Sequence, residues 1–385
     1  MSDPSDALWA AILAAPDQDG PRLVYGDLLL GRGDVHGELI QIQCSNSPDS
    51  ALRRREAELV ADRGRWLGGL APFATEYTLR RGFLDALVLE GPRVPEARLA
   101  ELIADPRVAL LSSLRIREGA LGAPAAAALA SALGGTLARL RALALDRNPI
   151  GDAGAAALAP AIERLELLHL TNAELGDAGA RALAEGPDTA LRDLDLCFNR
   201  IGAAGAAALV GAPRLARLAR LDLTGNPIGA DEAVQVAQRL ALPELRDLDL
   251  SWCGLGPAAS SLGTARCLEG LAVLDLCGNG LGDEGFAELL ASPYLGRLEE
   301  LAVGNNDLGD DAIAALCARA TAFPALTRLR IENNPITDAG LRRLCDSPLA
   351  TRLRRVGIWG RHRLSDDGRA LYASTFGKWR SPLAG

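Results

Sequence analysis

The chain has 385 residues, of which 49% are hydrophobic and 23% are charged, and its net charge is −8. This length exceeds what one ordinary globular core accommodates, so the sequence predicts either several domains or an elongated array of repeats. The negative charge argues against a general nucleic-acid-binding protein, because such a protein needs a basic face to displace counterions from phosphates.

Cysteine usage and hydropathy indicate the cellular compartment of the protein. The seven cysteines are scattered without a paired spacing, as expected for free thiols in a reducing compartment. The N-terminus lacks a basic stretch followed by an apolar core, and no window approaches the roughly 18 apolar residues of a membrane span. We therefore expect a cytoplasmic protein without membrane contact. Lys378 is the only lysine among 41 basic residues, which is typical of GC-rich bacterial genomes.

Residues 1–70 predict a small all-α domain. A first helix starts near Ser5, and Pro21 is suited to the first turn of a second helix. A short helix follows through Ile40, and the Arg- and Glu-rich segment 51–66 predicts a further one. None of these segments repeats another, so the domain is distinct from the rest of the chain.

Three runs of this domain resemble a known module: Arg22-Leu23-Val24-Tyr25-Gly26-Asp27, Arg32-Gly33-Asp34 and Gly37-Glu38-Leu39-Ile40-Gln41-Ile42-Gln43. They are similar to the bacterial repeat-companion domain, which stands ahead of leucine-rich and other repeats. Members of that family usually carry Ala and Trp where this chain has Gly26 and Leu28. We expect a capping and docking domain, in which Asp27 and Glu38 form surface ion pairs with neighbouring arginines.

A pattern of aliphatic residues and asparagine, which we call the frame, recurs through residues 71–360. One copy consists of Leu140, Leu143, Leu145, Asn148 and Ile150. Further copies start at Leu165, Leu191, Leu218, Leu245, Leu271, Leu298 and Leu326, and weaker ones at Leu84, Leu111 and Leu353. Eleven starts give a mean step of about 27 residues. Positions are numbered from the first leucine, so Asn148 is at position 9; Ala173 and Cys253 replace the asparagine in two copies.

This frame resembles the leucine-rich repeat, and its length resembles the ribonuclease-inhibitor-like branch of that family. Positions 4 and 6 alternate as inward strand residues, and the position-9 asparagine can satisfy backbone groups at the following turn. Runs such as Gly151-Asp152-Ala153-Gly154 come next, and their aspartate is a natural N-cap for a helix. The prediction is an α/β solenoid, a horseshoe with parallel strands on the concave face and helices on the convex face.

The last segment, 361–385, predicts a C-terminal cap and a tail. One final helix start lies at Leu364 to Gly368, and a polar closing helix follows from Arg369 to Ser374. Each repeat buries its apolar face only against its neighbours, so both ends of the array need such caps.

The sequence lacks the motifs of several enzyme and metal-site classes. A P-loop requires Gly-Lys-Ser/Thr, but the only lysine is followed by Trp379. The histidines, His36, His169 and His362, lie far apart, and there is no H-E-x-x-H run or Cys-x-x-Cys pair. We therefore expect no enzymatic activity, no cofactor and no metal.

The concave face carries the candidate binding residues. Position 5 points outward from the sheet and holds four successive aspartates, which at about 4.8 Å spacing repel one another. Position 3 adds further charges, and aromatic residues lie at the edge. The predicted partner-binding residues are Asp193, Asp195, Phe198, Asp222, Asp247, Asp249, Trp252, Asp275, Glu300, Arg328, Arg330 and Trp359.

Three interpretations of the aspartate row are open. Aspartate is common at this point of leucine-rich repeats, and Arg220 neutralises part of the row, so its role is structural alone. Alternatively, the acidic floor and its aromatic residues receive the basic surface of a partner protein. A cation site is the third interpretation, although aspartates on a flat sheet rarely converge on one ion.

One side-chain set suggests thiol chemistry. His169 lies beside Asp195 with Cys197 diagonal to it, and a protonated histidine lowers the pKa of a thiol. An open sheet implies neither oxyanion donors nor an enclosed pocket, so an inert hydrogen bond between His169 and Asp195 is the favoured interpretation.

These features predict a non-enzymatic interaction scaffold or sensor module that binds a protein partner with a basic surface on its acidic concave face. We expect a monomer that binds neither nucleic acid nor membrane. The alternative is a regulator of a small GTPase, of the GTPase-activating type, which rests only on analogy with other ribonuclease-inhibitor-like repeats.

Overall fold

The computed structural model of the protein describes residues 4–45, 49–91, 94–230, 233–360 and 363–377. The described strands form one open sheet of 12 strands in chain order. They are β1 (Ala74–Arg80), β2 (Phe83–Glu90), β3 (Ser113–Arg117), β4 (Ala142–Ala144), β5 (Leu167–His169), β6 (Asp193–Asp195), β7 (Arg220–Asp222), β8 (Asp247–Asp249), β9 (Val273–Asp275), β10 (Glu300–Ala302), β11 (Arg328–Arg330) and β12 (Arg355–Gly357). From β2 onward neighbouring strands are parallel, as the α/β solenoid requires.

Helices connect the strands and form a second layer. The described α-helices are α1 (Pro4–Ala14), α2 (Asp19–Gly31), α3 (Val35–Gln43), α4 (Ser50–Val60), α5 (Arg63–Leu67), α6 (Glu96–Ile103), α7 (Ala123–Leu133), α8 (Gly151–Leu158), α9 (Asp177–Ala184), α10 (Ala203–Val210), α11 (Ala233–Arg239), α12 (Gly282–Leu290), α13 (Asp310–Ala318), α14 (Asp338–Cys345) and α15 (Asp366–Phe376). After β8 the connection is a 3-10 helix, Gly256–Thr264. Helices need about 10 Å of lateral space and strands about 4.8 Å, so the two layers together curve.

A β-hairpin that the sequence analysis did not predict joins the N-terminal helices to the repeats. Strands β1 and β2 pair antiparallel, and between them Arg81 and Gly82 have φ of 53° and 86°, as in a two-residue hairpin turn. A Cβ at Gly82 would lie 2.2 Å from Ile40 Cγ1, so only glycine fits against α3. The Gly82 carbonyl oxygen lies 2.7 Å from His36 Nε2. The turn therefore docks the first strands onto the N-terminal helices.

The two ion pairs expected in the N-terminal helices have different outcomes. Glu38 pairs with Arg55 through two contacts of 2.8 Å, one to each carboxylate oxygen, so that prediction is confirmed. Asp27 accepts a hydrogen bond of 2.7 Å from Gln41 Nε2, so the prediction of an arginine partner is wrong. Gln41 lies on the neighbouring helix α3 and takes the place of the expected arginine as the donor to this carboxylate.

The predicted leucine spine is confirmed. Leu143 and Leu145 are fully buried, and the equivalent residues of the other repeats join them in one apolar cluster that extends from Leu67 to Tyr372. The weaker frames at Leu84, Leu111 and Leu353 also form strands of the same sheet. Because the cluster is continuous, each repeat obtains its core from the repeats on both sides.

A ladder of buried asparagines at position 9 joins successive repeats. Asn226 Oδ1 accepts from the Ile201 N–H of the preceding repeat at 3.0 Å. Its Nδ2 donates to the carbonyl oxygens of Leu196, in that same repeat, and of Leu223, in its own, at 2.9 and 2.8 Å. Asn226 is fully buried, so the Ile201 N–H would otherwise lack a partner, whereas the Leu196 and Leu223 carbonyl oxygens also accept from Asn199 and Cys253. Asn148, Asn199, Asn279, Asn306 and Asn334 make equivalent contacts.

The aspartates that follow the frames do not cap their own helices, so that prediction is wrong. Gly176 stands at the N-cap of α9 and has no side chain to offer. The carboxylate of Asp152, one repeat earlier, accepts from the N–H groups of Gly176 and Gly179 at 2.7 and 2.9 Å. A Cβ at Gly179 would lie 2.6 Å from that carboxylate oxygen. The aspartate of each motif therefore caps the helix of the next repeat. The second glycine of the motif leaves room for the aspartate of the preceding repeat.

The predicted closing helix is present as α15. The Ser365 hydroxyl accepts from the Gly368 N–H and caps the helix. Tyr372 is buried, and its hydroxyl donates to the carbonyl oxygen of Val356 in the last strand. No helix of the described residues has the length and apolar character that crossing a membrane requires.

We expect Asn226→Ala to lower the free energy of unfolding by on the order of 2 kcal/mol, because the buried Ile201 N–H loses its partner and two carbonyl oxygens each lose one of two donors. Asn226→Cys is the matched variant, since the natural Cys253 lies at the same position and its thiol donates to the Leu223 carbonyl oxygen at 3.2 Å. Urea unfolding should rank the wild type above the cysteine variant and the cysteine variant above the alanine variant. Equal stability of wild type and Asn226→Ala would contradict the role given to the ladder.

Candidate functional site

The sheet register brings the predicted position-5 residues into one row. Asp195 lies opposite Asp222, which lies opposite Asp249, which lies opposite Asp275. The row continues through Ala302 to Arg330 on one side and begins with Ala144 and His169 on the other. Position 3 forms a parallel row, in which Asp193, Arg220 and Asp247 are neighbours. The structure therefore places these candidate residues side by side on one face.

Each aspartate of the position-5 row accepts a hydrogen bond from the backbone N–H two residues later. The distances are 2.9 Å for Asp195 to Cys197, 3.0 Å for Asp222 to Thr224, 2.8 Å for Asp249 to Ser251 and 2.8 Å for Asp275 to Cys277. Asp222 and Asp275 are only 5% and 7% exposed. These carboxylates terminate their strands, which favours the structural interpretation of the row.

Arg220 holds the acidic residues of three strands together. Its guanidinium lies 3.3 Å from Asp193, 2.8 Å from Asp222 and 3.5 Å from Asp247. Burial opposes its charge, but these three carboxylates raise the pKa of Arg220 above its usual range. Arg220 thus offsets part of the repulsion, as expected from the sequence.

Two neighbouring aspartates share one hydroxyl. Ser251 Oγ lies 2.6 Å from Asp249 Oδ1 and 2.7 Å from Asp275 Oδ1, but a hydroxyl has one proton to donate. Burial, followed by repulsion from Asp275, raises the pKa of Asp249 from 3.8 to about 6. A proton on Asp249 can be donated to Ser251, whose own proton then serves Asp275. The raised pKa places the change of charge of Asp249 near pH 6.

His169 does not pair with Asp195, so the predicted contact is wrong. Its Nε2 lies 3.4 Å from Asp193 Oδ1, diagonally across the strands. Asp195 Oδ1 already accepts from the Thr171 hydroxyl at 2.9 Å and from the Cys197 N–H. Burial alone would raise the pKa of Asp193, but His169 and Arg220 together lower it.

Cys197 has the surroundings of an inert thiol. It is 8% exposed, and burial together with hydrogen bonds to Asp195 and Asp222 raises the pKa of its thiol far above the usual range. A nucleophilic cysteine needs the opposite shift. Asp195, Cys197 and Asp222 are the one group in the described part of the chain with three potential metal ligands within 4.8 Å of one another. Both carboxylates already accept backbone N–H groups at the ends of their strands, which is a structural role.

Two aromatic residues stand exposed at the edge of this face. Phe198 and Trp252 occupy position 8 of their frames and are 59% and 56% exposed. Their φ angles are 54° and 57°, in the left-handed region that bulky residues rarely adopt. A Cβ added at Gly225 would lie 2.6 Å from Phe198, and one added at Gly278 would lie 2.3 Å from Trp252. Each ring therefore lies over a position that is glycine in the next repeat.

The remaining candidates lie towards the C-terminal end of the sheet. Glu300 is paired with Arg328. Arg330 lies 3.0 Å from Asp275 and 3.5 Å from Glu332, so both of these arginines are engaged within the face. Trp359 is half-buried after β12, four strands beyond β8. It does not lie beside Trp252, because four strand spacings separate the two by about 19 Å.

The comparisons with known proteins concern the repeats that build this face. A family model described as "Leucine Rich repeat" matches residues 139–159, 165–184, 189–210, 298–317 and 324–345. Ribonuclease inhibitor of Sus scrofa is 33% identical over 300 residues, which are 75% of this chain and 58% of that protein. The chain is a leucine-rich-repeat protein.

Other relatives share shorter stretches with this leucine-rich-repeat protein. A Tonsoku-like protein of Bos taurus is 31% identical over 198 residues, 39% of this chain and 14% of that protein. The chain thus spans little more than half of ribonuclease inhibitor and a small part of the Tonsoku-like protein. Among solved structures, the crystal structure of a TLR13–ssRNA13 complex aligns with a TM-score of 0.42 at 19% identity, over 76% of this chain and 35% of that chain.

We expect Asp249→Asn to stabilise the leucine-rich-repeat protein at about pH 7.5 and to have little effect at about pH 4. The pKa of Asp249 in the folded chain, about 6, lies above its ordinary value of 3.8. The folded wild type therefore binds the proton more tightly than the unfolded chain and gains stability as the pH falls through this window. Thermal unfolding of both proteins across the range measures the difference, and a gap that does not change with pH would refute the assignment.

Proposed function

We propose that this leucine-rich-repeat protein is a non-enzymatic scaffold that binds a protein partner with a basic surface. The binding surface, which we call the acidic–aromatic patch, consists of Asp193, Asp247, Asp249, Phe198 and Trp252. The exposed aromatic pair is the observation that carries the proposal. The other charged residues of the concave face support the patch from within the fold.

The backbone conformation of the two aromatic residues supports a role in binding a partner rather than in stabilising the fold. A non-glycine residue in the left-handed region costs on the order of 1 kcal/mol. Other repeats place Asn172, Asn305 or Asn333 at the same position, and asparagine tolerates this conformation well. The chain instead keeps Phe198 and Trp252 there, more than half exposed. Large aromatic side chains are the residues that most often anchor protein interfaces.

The charge beside the aromatic pair selects the class of partner. Strands β6 to β9 carry six aspartates on the concave face and one arginine, Arg220. Arg220 and the more distant Arg330 offset only part of that charge. A surface with this excess attracts a basic partner, increases the rate of association and is weakened by salt. Basic protein surfaces therefore fit the patch best.

The relatives support a binding function. Ribonuclease inhibitor is, by its name, a protein that acts on another protein, and it is similar to three quarters of this chain. We extend to this chain only the use of the repeats as a protein-binding surface. GTPase regulation stays an alternative by analogy, and no contact among the described residues favours it.

The setting of this function is also part of the proposal. All seven cysteines are free thiols, which supports a cytoplasmic location. We propose that the protein acts as a monomer, and that the N-terminal domain, residues 1–70, and residues 361–385 cap the repeats, 71–360, on both sides. The net charge of −8 supports a partner that is not a nucleic acid.

The double variant Phe198→Asn/Trp252→Asn tests the acidic–aromatic patch. It places at both positions the residue that three other repeats use there, so the fold should be kept while the anchors are removed. We expect a partner captured by the wild type from a lysate of the native host to bind roughly 10-fold or more weakly to the double variant in a titration with purified partner.

Arg147→Asn is the matched control, because Arg147 occupies the same frame position with φ of 57°. It is outside the patch and pairs with Glu118, so partner affinity should not change. An undiminished affinity of the double variant, with the wild-type circular dichroism spectrum, would rule out the aromatic pair as the anchor.

A further inference from the structure

A cluster of arginines lines a cleft where the N-terminal helices meet the first repeats. The cleft has a volume of about 110 Å³. Its arginines are Arg22 on α2, Arg80 and Arg81 at the end of β1 and in the hairpin turn, and Arg139 and Arg141 just before β4. We call it the arginine cleft.

Arg22 is a buried cation without an acidic partner. It is 4% exposed, and its Nη1 donates to two neutral acceptors, the carbonyl oxygens of Pro16 and Gln18. Within the described residues its buried Nε has no hydrogen-bond partner, and no carboxylate lies at ion-pair distance from it. Burial, then repulsion from Arg81, lowers the pKa of Arg22, although Asp19 attracts its charge from beyond ion-pair distance. A buried charge in this condition destabilises the fold unless an anion is supplied.

The other arginines of the cleft are only partly neutralised. Arg81 lies 3.1 Å from Asp19, and Arg139 lies 3.6 Å from Asp17. The side chain of Asp17 is 85% exposed, so this second contact is weak. Arg80 makes no ion pair with any described residue, and Arg141 donates to the carbonyl oxygen of Leu140.

The charge balance of the cleft is positive. Its five arginines face three carboxylates, those of Asp17, Asp19 and Asp85. Two positive charges are therefore in excess, in a chain whose net charge is −8. Guanidinium groups held together repel one another, and a bound anion would relieve that repulsion.

We propose that the arginine cleft binds a phosphate group. The planar guanidinium fork matches the oxygen atoms of phosphate, which it can contact through two hydrogen bonds at once. The dianion matches the excess of two charges. The volume of about 110 Å³ is well below the roughly 300 Å³ at which pockets for drug-sized molecules begin, so it suits the phosphate group itself.

Phosphate binding at this place would join the N-terminal helices to the repeats. Arg22 belongs to α2, whereas Arg139 and Arg141 flank Leu140, the first residue of the third frame. The Gly82 turn already packs against α3. A phosphate in contact with both sides would add an ionic connection between the same two parts of the chain. Binding and stability are therefore coupled, because the ligand binds only the assembled junction.

The double variant Arg80→Gln/Arg141→Gln tests this site in the full-length protein. Calorimetric titration with inorganic phosphate at constant ionic strength should give saturable one-site binding to the wild type. We expect affinity at least about 10-fold lower in the variant, because two charge-assisted contacts are lost. Phosphate should also raise the melting temperature of the wild type more than that of the variant.

The control Arg192→Gln/Arg354→Gln removes the same charge outside the cleft. Arg192 and Arg354 occupy position 2 of their frames, as Arg141 does, so their loss should leave phosphate affinity unchanged. An equal loss of affinity in the control would overturn the site, and so would the absence of saturable binding to the wild type. If the double variant is unstable, Arg80→Gln alone replaces it, since the Arg80 side chain is exposed.

A phosphoserine peptide identifies the source of the phosphate group, and chloride tests the specificity of the cleft. Tighter binding of a phosphoserine peptide than of inorganic phosphate would support the site and indicate a phosphorylated protein. Tighter binding of inorganic phosphate would support the site and indicate the free anion. Stabilisation by chloride equal to that by phosphate, at the same ionic strength, would overturn the proposal.

Discussion

The buried asparagine at position 9 is the contact on which the rest of the structure depends. Each ladder asparagine satisfies backbone groups of two successive repeats, so neither repeat can complete its turn without the other. The aspartates that follow the frames do the same on the helical side, where Asp152 caps the helix of the next repeat. The stack is therefore joined by polar contacts on both sides of one continuous apolar core. These contacts fix the register, because a slipped repeat would leave several buried groups unpaired.

The fixed register also determines what the concave face can do. It aligns four aspartates at strand spacing, where each accepts the backbone N–H at the end of its own strand. Most of their hydrogen-bonding capacity is used inside the fold, so a long acidic row is by itself a poor sign of a binding site. Under the proposed function, what remains for a partner is the excess negative charge and the exposed side chains of Phe198 and Trp252, whose position asparagine fills elsewhere in the chain.

The sequence predicts the solenoid well, because leucine and asparagine spacing report contacts that recur at a fixed interval. Even the weak frame at Leu84 forms a strand. Contacts that depend on side-chain direction or on distant segments could not be predicted in this way. The carboxylate of Asp152 caps the helix of the next repeat and not its own. His169 lies beside Asp193 because Asp195 already accepts from Thr171 and Cys197. The hairpin lies within residues 71–360, where the frame predicts parallel strands only, and its local signal is the Arg81-Gly82 turn. The arginine cleft left none, since docking of α2 on the first repeats creates it.

Amide hydrogen exchange of the leucine-rich-repeat protein tests the central claim most directly. The Leu175, Ile201 and Leu308 N–H groups donate to the ladder residues Asn199, Asn226 and Asn334 at 3.0, 3.0 and 3.1 Å. They lie in turns, where exchange is ordinarily fast, but the ladder predicts that they exchange only through cooperative unfolding, with the protection of the strand amides. Exchange of these three amides at the rate of exposed loop residues, while the strands stay protected, would contradict the account.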